Sequence, residues 1–205
     1  MDNMITLGSL YEKALNMAKN YRDELVPAGE VCFIDLAVAN IGGSLYEMRT
    51  AAQQSICHRL NIPYSFLKRC PPEIQSSNLN YFLRLDESRE FFIRFDKDEV
   101  RVFLSPRFKP VDHADILDRL ISLGYGSDLR VQSCLEDQFM FVNIPDERKR
   151  FLINGDRMMP GISISNSQLG MASLSISVFV LRLVCTNGMI SKRAVSSSSV
   201  VGSTY

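Results

Sequence analysis

The stretch EFFIRFDKDEVRVFLS, residues Glu90–Ser105, decides the fold class. FFIRF and VRVFLS alternate apolar with polar residues, and the charged DKDE between them is turn-like, so the stretch predicts a β-hairpin. Before it, apolar residues recur mostly at helical spacing; after it, mostly at strand spacing. The expected architecture is α+β: N-terminal helices packed on a mostly antiparallel sheet of about five or six strands.

Upstream, Ser9 followed by Glu12 is a capping-box pattern. Leu10, Ala14, Met17, Ala18, Tyr21 and Leu25 follow at helical spacing, predicting a helix from Ser9 to Leu25 that Pro27 and Gly29 stop. VCFIDLAVA (Val31–Ala39) reads as a short apolar strand, and Gly42-Gly43 turns the chain into Ser44–Arg49. Thr50 with Gln53 opens a second capping box, for a helix ending near Asn61. PYSFLKRC gives a further helical turn. Pro71-Pro72 starts a third helix, on which Ile74, Asn78, Tyr81, Phe82 and Leu85 share a face.

Downstream, Asp112 caps a helix through Ile116, Leu117, Leu120 and Leu123 that Gly124 ends. LRVQSCL and QFMFVNI are expected strands, Pro145–Met159 a polar surface loop, and Gly161–Ser167 and Ala172–Cys185 strands again. In the last of these, Leu174, Ile176, Val178, Val180 and Val184 line one face, which must be buried. The other face is serine-rich, then apolar from Phe179, so the second half is expected to be buried on both sides. Arg182 then needs a carboxylate or carbonyl partner. Thr186-Asn187-Gly188 is read as a structural turn, because Asn-Gly tolerates positive φ. The whole is expected to be one domain over residues 1–193, with a helical half 1–88 and a sheet-rich half 89–193. A Ser-rich tail, 194–205, is expected to be disordered.

Charge narrows the function classes. The 23 basic and 23 acidic residues cancel, which argues against a global electrostatic grip on nucleic acid or membrane. The distribution is nonetheless lopsided: from Arg157 to Tyr205 there is no acidic residue, only Arg157, Arg182, Lys192 and Arg193. The 5 cysteines (Cys32, Cys57, Cys70, Cys134, Cys185) are scattered with no C-x-x-C pair, as thiols are in a reducing compartment. The N-terminus MDNMITLG has no apolar signal region and no membrane-length apolar run occurs, so a cytoplasmic protein is expected.

Catalytic signatures are missing. There is no phosphate loop, and Gly124-Tyr-Gly126 follows a helix where a dinucleotide fingerprint must follow a strand. His58 and His113 lie outside any metal spacing. The acids Asp96, Asp98 and Glu99 sit in the hairpin turn, where charges are ordinarily solvated. The expectation is a protein that is not an enzyme, with no cofactor and no metal.

Three segments in order, TAAQQSICHRLNIPYSFLKRCPP (Thr50–Pro72), FLSPRFKPVDHADILDRL (Phe103–Leu120) and GISISNSQLGMASLSISVFVLRLVCTNGM (Gly161–Met189), resemble a phage- and plasmid-associated family, the domain of unknown function numbered 932. The likeness spans about residues 45–190, and its most specific part is the closing Arg182–Met189. Pro106 stands where the family more often has an acid, and Asp112-His113 where Asp-Asn is usual. The family's proteins continue past the closing motif, which would make this chain a short or truncated member. The resemblance implies a mobile-element origin and no settled activity.

Two functions follow as expectations. The first is single-stranded nucleic-acid binding or annealing of a recombination type, with cations tracking phosphates and aromatics stacking bases. Its candidate residues are Lys68 and Arg69; Arg107, Phe108 and Lys109; and Arg182, Lys192 and Arg193. The annealing analogy rests on fold layout alone. The second is a host-directed defence or anti-defence factor that binds a protein partner, which zero net charge favours. Partners are thus single-stranded DNA or a host protein, with homo-oligomerisation open and no membrane.

Overall fold

The computed structural model describes residues 4–183 and 191–192. Thr186, Asn187, Gly188, Arg193 and the Ser-rich tail lie outside the described residues. The chain divides into two compact units, one interrupting the other in sequence. The first comprises the N-terminal segment through Met17 together with the chain from Pro110 onward; the second runs from Ala18 to Lys109.

The first unit opens with β1 (Met4–Thr6) and α1 (Leu7–Ala18). The cap is Thr6 rather than Ser9: its hydroxyl accepts the Ser9 amide at 3.2 Å. The predicted extension to Leu25 does not form. Tyr21 and Leu25 fall at helical spacing by coincidence, and the chain instead enters β2 (Tyr21–Pro27), an edge strand of the second unit.

In that unit a 3-10 turn (Ala28–Glu30) leads to β3 (Val31–Phe33), β4 (Val38–Ile41) and β5 (Ser44–Met48). Gly42 and Gly43, at φ 57° and 88°, make the β4–β5 hairpin turn, a conformation glycine adopts without strain. Then come α2 (Thr50–Arg59), α3 (Tyr64–Leu67) and α4 (Pro72–Arg84). The decisive hairpin forms as read, β6 (Glu90–Asp96) and β7 (Glu99–Leu104). The sheet order is β2-β6-β7-β5-β4-β3, antiparallel except for the β5–β7 pair. Phe33, Phe91, Ile93, Phe95 and Phe103 bury against Ile56, Leu67, Leu79 and Leu83 of the helices. Past its short pairing with β5, β7 has an open edge, and Ser55 of α2 accepts the Phe103 amide there at 2.9 Å.

The chain returns to the first unit with α5 (His113–Ser122), ended by Gly124 at φ 94° as expected. β8 (Arg130–Leu135) and β9 (Met140–Pro145) follow. The expected polar loop is instead a 3-10 turn (Glu147–Lys149) and a hairpin, β10 (Phe151–Ile153) against β11 (Asp156–Asn166). Asn154 and Gly155, at φ 50° and 83°, supply its turn. β12 (Ser175–Leu183) and β13 (Ser191–Lys192) complete an antiparallel sheet of order β1-β8-β9-β11-β12-β13, with β10 pairing β11. Leu7, Leu10 and Ala14 of α1 and Leu117 and Leu120 of α5 bury against Val131, Val142, Ile144 and Ile164. At the far end of β11, the Asn166 side-chain amide donates to the Val111 carbonyl at 2.8 Å and meets His113 Nδ1 at 3.1 Å.

The fold is therefore α+β, but with two sheets where one was expected, and helices interspersed among strands rather than gathered in an N-terminal half. Among the described residues no helix is long and apolar enough to cross a membrane.

Candidate nucleic-acid interface

α4 forms where the sequence places it, and its orientation is the point of interest. The apolar residues read as sharing a face point outward: Tyr81 is 61% and Leu85 63% exposed, and Ile74 and Phe82 are exposed with them. The buried residues are Leu79 and Leu83, one turn apart. Two amides beside them fix this rotation. Asn80 accepts from the Phe33 amide and donates to the Phe33 carbonyl, both at 2.8 Å, so it pairs with β3 as a neighbouring strand would and satisfies that sheet edge. Gln75 accepts from the Leu36 amide at 3.0 Å and donates to the Cys70 carbonyl at 2.9 Å. An unpaired backbone edge costs more than an exposed aliphatic side chain, so the amides decide which side faces in. The readable signal was an apolar pattern running round the helix instead of along one stripe.

The outward side of α3 and α4 bears rings and cations. Tyr81 and Phe82 meet edge to face, centroids 5.4 Å apart. Phe66 on α3 is exposed. Lys68 and Arg69, both exposed, follow α3; the Lys68 ammonium stands 5.8 Å from the centre of the half-buried Tyr64 ring, and Arg69 Nε donates to the Ser65 carbonyl at 3.1 Å. Arg84 is exposed one turn beyond Tyr81. At the end of α2, Arg89 donates to the Arg59 carbonyl at 3.1 Å. Burial first, and the Arg89 charge second, lowers the pKa of the half-buried Arg59 guanidinium.

In the loop after β7, Arg107 and Lys109 are exposed, but Phe108 is half-buried with its ring 5.9 Å from Phe92. Phe108 thus packs in the protein rather than offering a stacking surface. Lys68, Arg69, Arg84, Arg107 and Lys109 form no ion pair among the described residues. Two arginines of this unit are engaged by carboxylates instead. Arg94, 1% exposed, holds Asp23 at 2.9 Å, and Arg49 holds Asp96 at 2.6 Å and Glu99 at 2.9 Å. Two of the acids expected to be solvated, Asp96 and Glu99, therefore neutralise Arg49.

Arg182 lies in the first unit, away in sequence from these residues. It pairs with Asp156 at 2.6 Å, which supplies the carboxylate the sequence demanded, yet its side chain is 52% exposed. The doubly buried half-strand does not form: Phe179, Val180 and Leu181 are only half-buried and Arg182 is exposed, and earlier on β12 Ile176 and Val178, on the face expected to be buried, are 43% and 47% exposed. The chain does fold back on β12, with Ser191 opposite Arg182 and Lys192 opposite Leu181; Arg193 is outside the described residues. Cys57 is buried, and burial raises its thiol pKa to about 11, so it stays protonated near neutrality.

The chain matches no family model, no curated protein and no solved structure. The family resemblance rests on the quoted motifs alone.

Proposed function

We propose that the chain is a single-stranded nucleic-acid-binding protein of a mobile element, acting by binding rather than catalysis, and that α3 and α4 carry the contact surface. The supporting observation is the coincidence of exposed rings (Phe66, Tyr81, Phe82) with cations that no carboxylate neutralises (Lys68, Arg69, Arg84). Bases stack on such rings regardless of sequence, and the cations replace counterions on phosphates. Arg107 and Lys109 extend the basic character of the same unit. Arg182, committed to Asp156, is dropped from the contact set.

The aliphatic ends of the stripe, Ile74 and Leu85, favour a second reading, in which a protein partner or a second copy covers α4. Gel shift with labelled oligonucleotides across a salt series separates the two. On the first reading, Lys68→Ala with Arg69→Ala lowers the salt slope by about 0.7 per lost contact, and Tyr81→Ala weakens binding by about 1–3 kcal/mol. Absence of oligonucleotide binding at low salt, with Tyr81→Ala abolishing self-association or capture by a protein, would establish the second.

A further inference from the structure

In the first unit the helix layer stops short of the sheet. A helix is about 10 Å across and strands lie about 4.8 Å apart, so one helix covers about two strands. α1 and α5 accordingly cover β1, β8, β9 and β11, where Val131, Val142, Ile144 and Ile164 are buried. β12 is the next strand, and its register places Ile176 opposite Ile164 and Val178 opposite Ile162. These side chains continue the core-facing row, yet both are nearly half exposed. Beside them runs a groove of about 790 Å³. Its floor is Ile144, Ile162 and Val178, one wall is the end of α5 with Leu123 and Tyr125, and its lip is the 3-10 turn at Asp146–Lys149.

The lip and the strands give the slot a sign. Asp146 lies 3.7 Å from Lys149, and Glu147 bonds Arg150 at 3.1 Å, so both acids are engaged locally. The Arg148 side chain has no ion pair among the described residues. No acid occurs from Arg157 onward, so β12 brings no negative charge to the groove.

We infer that this groove is a docking site for an amphipathic helix of a protein partner whose flank is acidic. The helix lays its apolar i, i+3, i+4, i+7 row on Ile162, Ile176 and Val178, and its carboxylates face Arg148. A groove half-open to solvent suits a helix better than a small molecule, which sites of this volume ordinarily enclose on most sides. The inference is independent of the nucleic-acid reading, whose residues belong to the other unit.

The test is fluorescence anisotropy of the full chain with three labelled synthetic peptides. One is an amphipathic helix with leucine at i, i+3, i+4 and i+7 and glutamate on its flanks; one has lysine for each glutamate; one is a scramble of the first. The acidic helix should bind about tenfold or more tighter than the basic one, and the scramble should not bind. Val178→Glu should cost about tenfold or more while leaving the melting curve unchanged, because that side chain is half in water. Arg148→Glu should reverse the charge preference, and it decides the matter alone if Val178→Glu fails to fold. Equal binding of the three peptides, no binding of any, an unaffected Val178→Glu, or displacement of the peptide by a single-stranded oligonucleotide overturns the inference.

Discussion

The two units handle surplus apolar surface in opposite ways. In the unit spanning Ala18 to Lys109, three helices close the core, and the excess lies outward on α4 at Ile74, Tyr81, Phe82 and Leu85. In the other unit, two helices close only part of the sheet, and the excess lies on the sheet itself at Ile176 and Val178. Charge follows the same division. The first-mentioned unit buries Arg94 and Arg101, whereas Arg182 of the other stays half in water. Apolar residues at core-like spacing thus identify an element without telling which side is covered; neighbouring polar groups that need partners decide that.

The largest expected effect tests the closed unit. Asp23→Ala removes a carboxylate that Arg94, a fully buried guanidinium, holds at 2.9 Å, and removing one partner of a buried ion pair costs on the order of 3 kcal/mol or more. Urea denaturation should show a correspondingly lower midpoint. A loss under about 1 kcal/mol, the scale of an exposed pair, would mean that Arg94's other interactions suffice to hold it and that the two units do not differ in this respect.

Next is Gly161, in the unit with the open groove. A Cβ there would stand 2.3 Å from the Phe179 ring and 2.7 Å from the Ile144 carbonyl oxygen. Gly161→Ala should therefore cost about 1–3 kcal/mol through overpacking, measured by thermal melting. An unchanged melt would show the β11–β12 pair to be as slack as its exposed groove face.

How far the fold could be read depends on whether local pattern and long-range pairing agree. At Glu90–Ser105 they do, and β6 and β7 form as expected. At Tyr21–Leu25 an i, i+4 coincidence imitates helix, and only pairing with β6 makes it strand. The hairpin at Phe151–Asp156 hid behind flanking charges, although Asn154-Gly155 was a legible turn signal. For the site, Lys68 and Arg69 are exposed, while Tyr81 and Phe82 were read as sharing a helix face with no indication of which way it points. Their exposure follows from Asn80 bonding Phe33 of β3 and Gln75 bonding Leu36 just beyond it, which one-dimensional periodicity does not carry.

The thiols sharpen the contrast through pH. Burial raises Cys57 to about 11, so the folded state disfavours its thiolate. The sign follows: this contribution to stability is complete below the ordinary thiol pKa and is lost as pH rises through about 11. Under native conditions Cys32 and Cys134, which are exposed, should be alkylated quickly by iodoacetamide, and Cys57 only on unfolding. Mass spectrometry of partly labelled protein reads the order directly. Early modification of Cys57 would show that the core of its unit opens readily.

The smallest effect concerns Arg182 and Asp156. Sequence parity put Arg182 in a strand buried on both faces, and on that view its loss should cost several-fold more than an exposed charge. The structure leaves Arg182 52% and Asp156 39% exposed. At such exposure water screens the attraction, and holding two side chains together costs rotamer entropy. Asp156→Ala and Arg182→Ala should each change stability by about 0.5 kcal/mol or less, and the double variant should match their sum within a few tenths. The double-mutant cycle is the measurement to make, because each single change also alters the β10–β11 turn or the end of β12. A coupling energy above about 1 kcal/mol would mean the pair is shielded from water, and the sheet's β12 end would then have to count as closed, like the core around Arg94.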